Sequence, residues 1–162
     1  MALPKINTIL YTTSLGKHTR PVFRHAVNLA TQFNAKIVML HVVEPIGELG
    51  QALIQNYLDD AMVKKMHDEG IDAIKDQMRQ RVSDFCAEEL SSLPQPVELD
   101  IEHVVIEGNH TDSILHEAHA TEADMIVIGA ENTFGHHSHT TQQVMKGAKV
   151  PVLVVPTGKK FS

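Results

Sequence analysis

The chain has 162 residues, a length that suits one domain over residues 1–162 in which helices cover a sheet, with a short tail over residues 157–162. Its 14 basic and 20 acidic residues give a net charge of −6 without a basic cluster, so we expect no nucleic-acid partner. With a single cysteine, no signal-peptide pattern and no apolar run near the roughly 20 residues that cross a bilayer, we expect a cytoplasmic protein without membrane contact.

The first half of the chain alternates apolar strands with helical segments. Ile6–Thr13 predicts a first strand, and apolar residues recur at helical spacing from Val22 to Phe33. Lys36–Val43 is an apolar run that predicts a second strand. The charged, helix-favouring stretch that follows predicts a helical insert over about residues 48–92, whose later half places Ile74, Val82 and Phe85 among others on an apolar face.

The second half contains three more strand signals. Glu98–Ile106 begins with alternating polarity, as an edge strand does, and Asp112–Ala120 predicts a helix. Ala123–Gly129 and Val150–Pro156 are apolar and rich in β-branched residues, and they flank a helix over Thr140–Lys146. Strands without polar alternation are buried on both faces, which is typical of a parallel sheet with helices on each side.

Several of these segments share their order and spacing with one protein family. The segments that share this order and spacing are ILYTTS (Ile9–Ser14), VMLHVVEP (Val38–Pro45), VIEGN (Val105–Asn109) and the last two strands. Together they resemble the universal stress proteins. The resemblance implies an α/β fold with a doubly wound, open, parallel five-stranded sheet in the order 3-2-1-4-5, of the adenine-nucleotide-hydrolase-like type. It also implies a homodimer that pairs through the last strand.

Members of this family either bind ATP or do not. ATP-binding members carry a glycine motif after the fourth strand that ends in Gly followed by Ser or Thr. Glycines let the backbone approach the phosphates, and amides at the helix start donate hydrogen bonds to them. This chain keeps Gly129, but Asn132 stands at the second glycine, and Ser138 and His139 stand at the last two positions.

Three further positions bear on a nucleotide. Ser14 stands where ATP-binding members commonly have a nucleoside-contacting aspartate, and Val42 matches the strand position whose backbone pairs with adenine. Gly108 matches a glycine near the ribose and phosphates. The resemblance therefore implies a degenerate nucleotide site. The positions that would hold ATP with Mg in the alternative case are Ser14, Val42, Gly108, Gly129, Asn132, Ser138 and His139.

Histidines are concentrated near the same loop. His136, His137 and His139 follow the fourth strand, and His110 lies on the neighbouring loop, so these are weak candidates for a metal. Adjacent histidines point apart on most backbones and the spacing fits no zinc motif, so we predict no metal. A second interpretation is that they contact an anion when protonated near about pH 6.

The sequence offers no catalytic constellation. Ser14 lies in no nucleophile elbow, and no acid is placed in sequence to orient a neighbouring histidine. We therefore predict no catalytic residue and no cofactor. The insert residues Leu49–Met66 carry an apolar face that either covers the sheet or docks a protein partner. The predicted function is a non-catalytic, homodimeric interaction module in the stress response. The alternative is an ATP-dependent switch that hydrolyses ATP slowly at most.

Overall fold

The computed structural model describes residues 2–15, 19–44, 60–130 and 138–157, without the side chains of residues 60–69 and 71. Three sequence predictions fall outside this part of the chain. They concern the apolar face of Leu49–Met66, the loop over residues 131–137 and the tail after residue 157.

The described residues form one parallel sheet with helices on both of its faces. Its strands are β1 (Thr8–Thr12), β2 (Lys36–Val43), β3 (Ile101–Glu107), β4 (Met125–Gly129) and β5 (Val152–Val155). The helices are α1 (Arg20–Phe33), α2 (Asp60–Ser91), α3 (His110–Ala120) and α4 (His139–Gly147). The strand order is β3-β2-β1-β4-β5, which confirms the predicted topology and the edge position of the third strand.

Alternate residues of the central strands supply two separate cores. Ile9 and Tyr11 of β1 pack with α1 and with the later part of α2, whereas Leu10 faces the other side. On that other side it packs with Ile114 of α3 and Val144 of α4. Both faces of β1 are therefore dry, which is why its sequence shows no polar alternation.

The helices follow the periodicity of the sequence except at Phe33, which is 48% exposed at the end of α1, and at Ile74. In α1 the buried positions are Val22, Phe23, Ala26, Val27 and Ala30, and the helix ends at Asn34, whose φ of 53° is left-handed. In α2, Val82 is buried and Phe85 stacks edge-on against Phe23. Ile74, predicted for the same apolar face, is 39% exposed because it lies before the part of α2 that contacts the core.

At the amino edge of the sheet, the carboxylate of Asp124 joins the start of β1 to the start of β4. Oδ2 of Asp124 accepts the backbone N–H groups of Asn7 at 2.8 Å and Thr8 at 3.0 Å. The N–H of Asp124 in turn donates to the Thr8 carbonyl at 2.8 Å. These bonds fix the start of β1 against β4, so any divergence between the two strands occurs at their carboxyl ends. None of the described helices has the length and apolar character to cross a membrane.

An ion pair joins α1 to α2. Nε of Arg20 donates to Oε1 of Glu89 at 2.8 Å, and the Glu89 side chain is only 3% exposed. Arg20 also lies 3.8 Å from Glu88, whose side chain is 72% exposed. A buried carboxylate depends on its partner far more than an exposed one does.

We predict that Arg20→Ala lowers the free energy of unfolding by about 3 kcal/mol, because it leaves the buried Glu89 carboxylate without its cation. Urea unfolding measures the change. Glu88→Ala is the matched control and should cost less than about 0.5 kcal/mol. In a Glu89→Gln background, where no charge is buried, Arg20→Ala should cost much less. Equal losses from Arg20→Ala and Glu88→Ala would contradict this account.

Candidate functional site

A cleft opens at the carboxyl edge because β1 ends before β2 and β4 do. The last register pair between β1 and β4 is Tyr11 with Val127, whereas β2 continues to Val43. The hollow is about 240 Å³ and lies where the connections from β1 and β4 leave in opposite directions. Open α/β sheets bind ligands at this switch point.

The backbone of Val42 faces the cleft. The N–H of Lys36 donates to the Asn7 carbonyl, and the Leu40 carbonyl accepts from the N–H of Thr13, so the even-numbered residues of β2 face β1. Val42 has the same parity but lies beyond the end of β1. Among the described residues its N–H and carbonyl have no backbone partner on that side. They form a donor and an acceptor at the cleft wall.

The start of α3 forms one end of the cleft. The N–H of Gly108 donates to the Val43 carbonyl at 3.0 Å, and the Asn109 side chain caps the helix by accepting from the N–H of Asp112 at 3.1 Å. Gly108 has a φ of 156°, and a Cβ there would stand 2.6 Å from Oγ of Ser113. The first turn of α3 therefore requires glycine at this position, whether or not a ligand is bound.

The start of α4 forms the opposite end. Oγ of Ser138 caps the helix by accepting from the N–H of Thr141 at 3.2 Å, and the Thr141 hydroxyl donates to the Gly129 carbonyl at 2.8 Å. The N–H of Ser138 donates to the Ala130 carbonyl at 3.2 Å. Two helix N-termini thus reach the same edge of the sheet, and each favours negative charge.

Two histidines line the cleft. Nδ1 of His41 lies 2.8 Å from the Thr13 carbonyl, which only accepts, so Nδ1 carries the proton. Burial lowers the pKa of His41, with smaller contributions from His110 and Arg81, although its bond to Thr13 opposes the shift. At neutral pH the ring is uncharged, and Nε2 is an acceptor.

The second histidine, His110, is held by an acid. Its Nδ1 lies 2.6 Å from Oε1 of Glu44, which follows β2. The sequence-based statement that no acid orients a histidine near Ser14 is therefore wrong. The two residues are 66 positions apart and meet only because α3 begins beside the end of β2. No motif in the sequence carries that signal.

The structure brings most of the predicted site together. Ser14, Val42, Gly129 and Ser138 line the cleft with His110, and Gly108 precedes the helix beside it. His139 is exposed as the first residue of α4. Asn132, His136 and His137 lie outside the described residues. Over the described ranges, no three His, Cys, Asp or Glu side chains gather as a metal site would require.

Sequence reasoning missed the threonines of the cleft. Thr13 and Thr19 flank the first loop, and Thr140 and Thr141 begin α4. Thr13 and Thr141 are nevertheless only 5% and 4% exposed. Their position at the end of a buried strand and at a helix start was a usable signal, because polar residues there point toward the switch point.

A larger groove of about 920 Å³ lies at the amino edge, between the ends of α3 and α4. Its inner wall is apolar, with Leu115 and Ile126, and its polar members His119, Glu122 and Lys149 are exposed at the rim. Among its described lining residues no buried polar group points into this groove, so the smaller cleft with its converging N–H, hydroxyl and imidazole groups is the candidate site.

Comparison with known proteins agrees with this geometry. The family model described as the universal stress protein family matches residues 5–156. The chain belongs to the universal stress protein family. A universal stress protein of Methanocaldococcus jannaschii is 26% identical over 141 residues, which cover 85% of this chain and 74% of that protein.

Solved structures of universal stress proteins share the fold. UspA of Lactobacillus plantarum superposes with a TM-score of 0.66 at 24% identity, over 93% of this chain and 98% of that one. A universal stress protein of Archaeoglobus fulgidus in complex with dAMP gives a TM-score of 0.56 at 18% identity, over 94% and 98% of the two chains.

We predict that this universal stress protein loses stability as the pH falls from about 7.5 to about 5.5, in part because of His41. Burial lowers its pKa below the ordinary 6.5, so the unfolded chain binds more protons in this range. The His41 contribution is complete above about pH 6.5 and is lost on acidification. Urea unfolding of wild type and His41→Asn at both pH values measures it, and an identical fall in both proteins would contradict the assignment.

Proposed function

We propose that this universal stress protein acts in the cytoplasm as a non-catalytic interaction module, a homodimer through β5 with a degenerate nucleotide site. The single observation that carries the proposal is the composition of the β5 edge. The degenerate nucleotide site is supported by Asn132 and Ser138, which stand where ATP-binding members have motif glycines. A single cysteine, buried Cys86, is consistent with a reducing compartment.

The two edges of the sheet differ in how they avoid pairing with another strand. The β3 edge carries the exposed polar residues Glu102 and His103, and Lys36 of β2 forms an ion pair with Glu102 at 2.8 Å. Val152, Leu153 and Val154 at the β5 edge are half-buried and apolar, with no charge. Soluble proteins protect an apolar edge strand by covering or pairing it, and a second copy of β5 would do so.

The hydrogen bonds of β5 identify a residue for testing this dimer. The carbonyls of Pro151 and Val155 accept from Ile126 and Ala130 of the β4 side, so odd-numbered residues of β5 face β4. The N–H of Val154 therefore points to the free edge. Proline at an outward position removes an edge donor without breaking the inner ladder.

We predict that Val154→Pro converts a dimer into a folded monomer at micromolar concentration. Light scattering coupled to size exclusion gives the mass, and circular dichroism checks the fold. Leu153→Pro is the contrasting variant, because it removes a donor that faces β4 and should unfold the protein. A monomeric wild type, or a dimer that survives Val154→Pro, would overturn the proposed interface.

A second candidate function is an adenine-nucleotide switch. The N–H and carbonyl of Val42 favour it, since no backbone group in the described part of the chain pairs with them on the β1 side, and so do the two helix N-termini at the cleft. A structural relative from Archaeoglobus fulgidus is described as a complex with dAMP. Against it, the hydroxyls of Ser138 and Thr141 already take part in internal bonds at the start of α4.

We predict that millimolar ATP with Mg²⁺ leaves the melting temperature unchanged, because the triphosphate motif is incomplete. A ligand at 100 times its Kd would stabilise the fold by about 2.7 kcal/mol, a shift of several degrees in a chain of this size. A shift that disappears in a Ser14→Ala, Ser138→Ala double variant would contradict the first function and support the switch. GTP with Mg²⁺ serves as the control nucleotide.

A further inference from the structure

Three features lie where the ladder between β1 and β2 ends. Nδ1 of His41 donates to the Thr13 carbonyl at 2.8 Å. Oγ1 of Thr13 accepts the N–H of Leu15 at 3.0 Å. Leu15 itself has a φ of 65°, a left-handed conformation that a leucine adopts only where its surroundings impose it.

These features occupy the atoms that would lengthen the sheet. The register of β1 and β2 pairs Thr12 with Leu40, and the next bond in the ladder would join the N–H of Val42 to the Thr13 carbonyl. The following bond would join the N–H of Leu15 to the Val42 carbonyl. The Thr13 carbonyl instead accepts from the His41 ring, and the Leu15 N–H instead donates to the Thr13 hydroxyl.

We infer that His41 is a positioning residue that stops the β1–β2 ladder at Thr13 and so keeps the Val42 N–H and carbonyl open as a recognition edge. A donor beside an acceptor on an extended backbone matches the edge of a planar nitrogen heterocycle, such as a nucleobase. The neutral His41 ring adds Nε2 as an acceptor for a ligand hydroxyl or amino group. This inference deepens the nucleotide-switch candidate, on which its ligand half rests.

The N–H of Val42 reports directly on the ladder. In ¹⁵N-labelled wild-type protein it should exchange with solvent rapidly, as an amide without a strand partner does. His41→Ala frees the Thr13 carbonyl, so the Val42 amide should pair with it and exchange roughly tenfold or more slowly. His41→Asn keeps an N–H donor near the position of Nδ1 and should restore rapid exchange.

The controls separate this role from a general effect on stability. His103→Ala removes an exposed histidine from the neighbouring strand β3 and should leave Val42 exchange as in wild type. The amides of Ile9 and Leu10, within the ladder, should keep their protection in all variants. If His41→Ala fails to fold, wild type and His41→Asn still test the inference, because a protected Val42 amide in either one overturns it. Equal Val42 exchange in wild type and a folded His41→Ala also overturns it.

Adenosine tests the ligand half, since it presents the base without phosphates. Titration should move the Val42 amide resonance of wild type and His41→Asn, and it should leave that of His41→Ala in place. If exchange behaves as expected but adenosine moves no resonance in wild type, His41 still stops the ladder and the nucleotide-switch candidate fails. If adenosine moves the Val42 resonance equally in wild type and His41→Ala, the nucleotide site stands and the assignment to His41 fails.

Discussion

The hydrogen-bond ladder of β1 determines where the cleft of this fold lies. At its start β1 is fixed by the Asp124 carboxylate, which accepts two consecutive N–H groups from Asn7 and Thr8. The strand ends at Thr12, and its ladder with β2 ends with the bond from the Thr13 N–H to the Leu40 carbonyl, while β2 and β4 continue. Because both faces of β1 are buried, the strand cannot slip by one residue without exchanging its two cores. The position of the cleft is therefore set by the register of one strand.

The sequence predicted the parts that depend on local pattern. β2 was bounded correctly at Lys36–Val43, since an apolar run between turn residues leaves little freedom. The third helix was predicted from Asp112 but begins at His110, because Asn109 supplies the cap. The candidate site could be placed at the carboxyl edge, and Ser14, Val42, Gly129 and Ser138 do line it.

The sequence could not predict the side-chain hydrogen bonds at that edge. The bonds of His41 to Thr13 and of His110 to Glu44 join residues far apart in the chain. They depend on where β1 stops and on how α3 meets β2, and neither follows from periodicity. His41 could be expected to be hydrogen-bonded near a strand end, but its partner decides whether the neighbouring backbone is open or paired. The prediction that Ile74 packs in the core is wrong for a similar reason, because helical spacing identifies an apolar face but not how far the core extends along it.

The cleft and the proposed dimer edge share one piece of backbone. The N–H of Ala130 donates to the Val155 carbonyl at 2.9 Å, and the Ala130 carbonyl accepts from the N–H of Ser138 at 3.2 Å. Ala130 thus connects the end of β5 to the residue that caps α4. A second copy paired along β5 and an anion at the start of α4 would both act on this segment. Coupling between two sites is reciprocal, so a ligand that shifted Ser138 would alter dimer affinity by the factor by which dimerisation alters ligand affinity. In the proposed dimer, the edge strand would in this way respond to the state of the cleft.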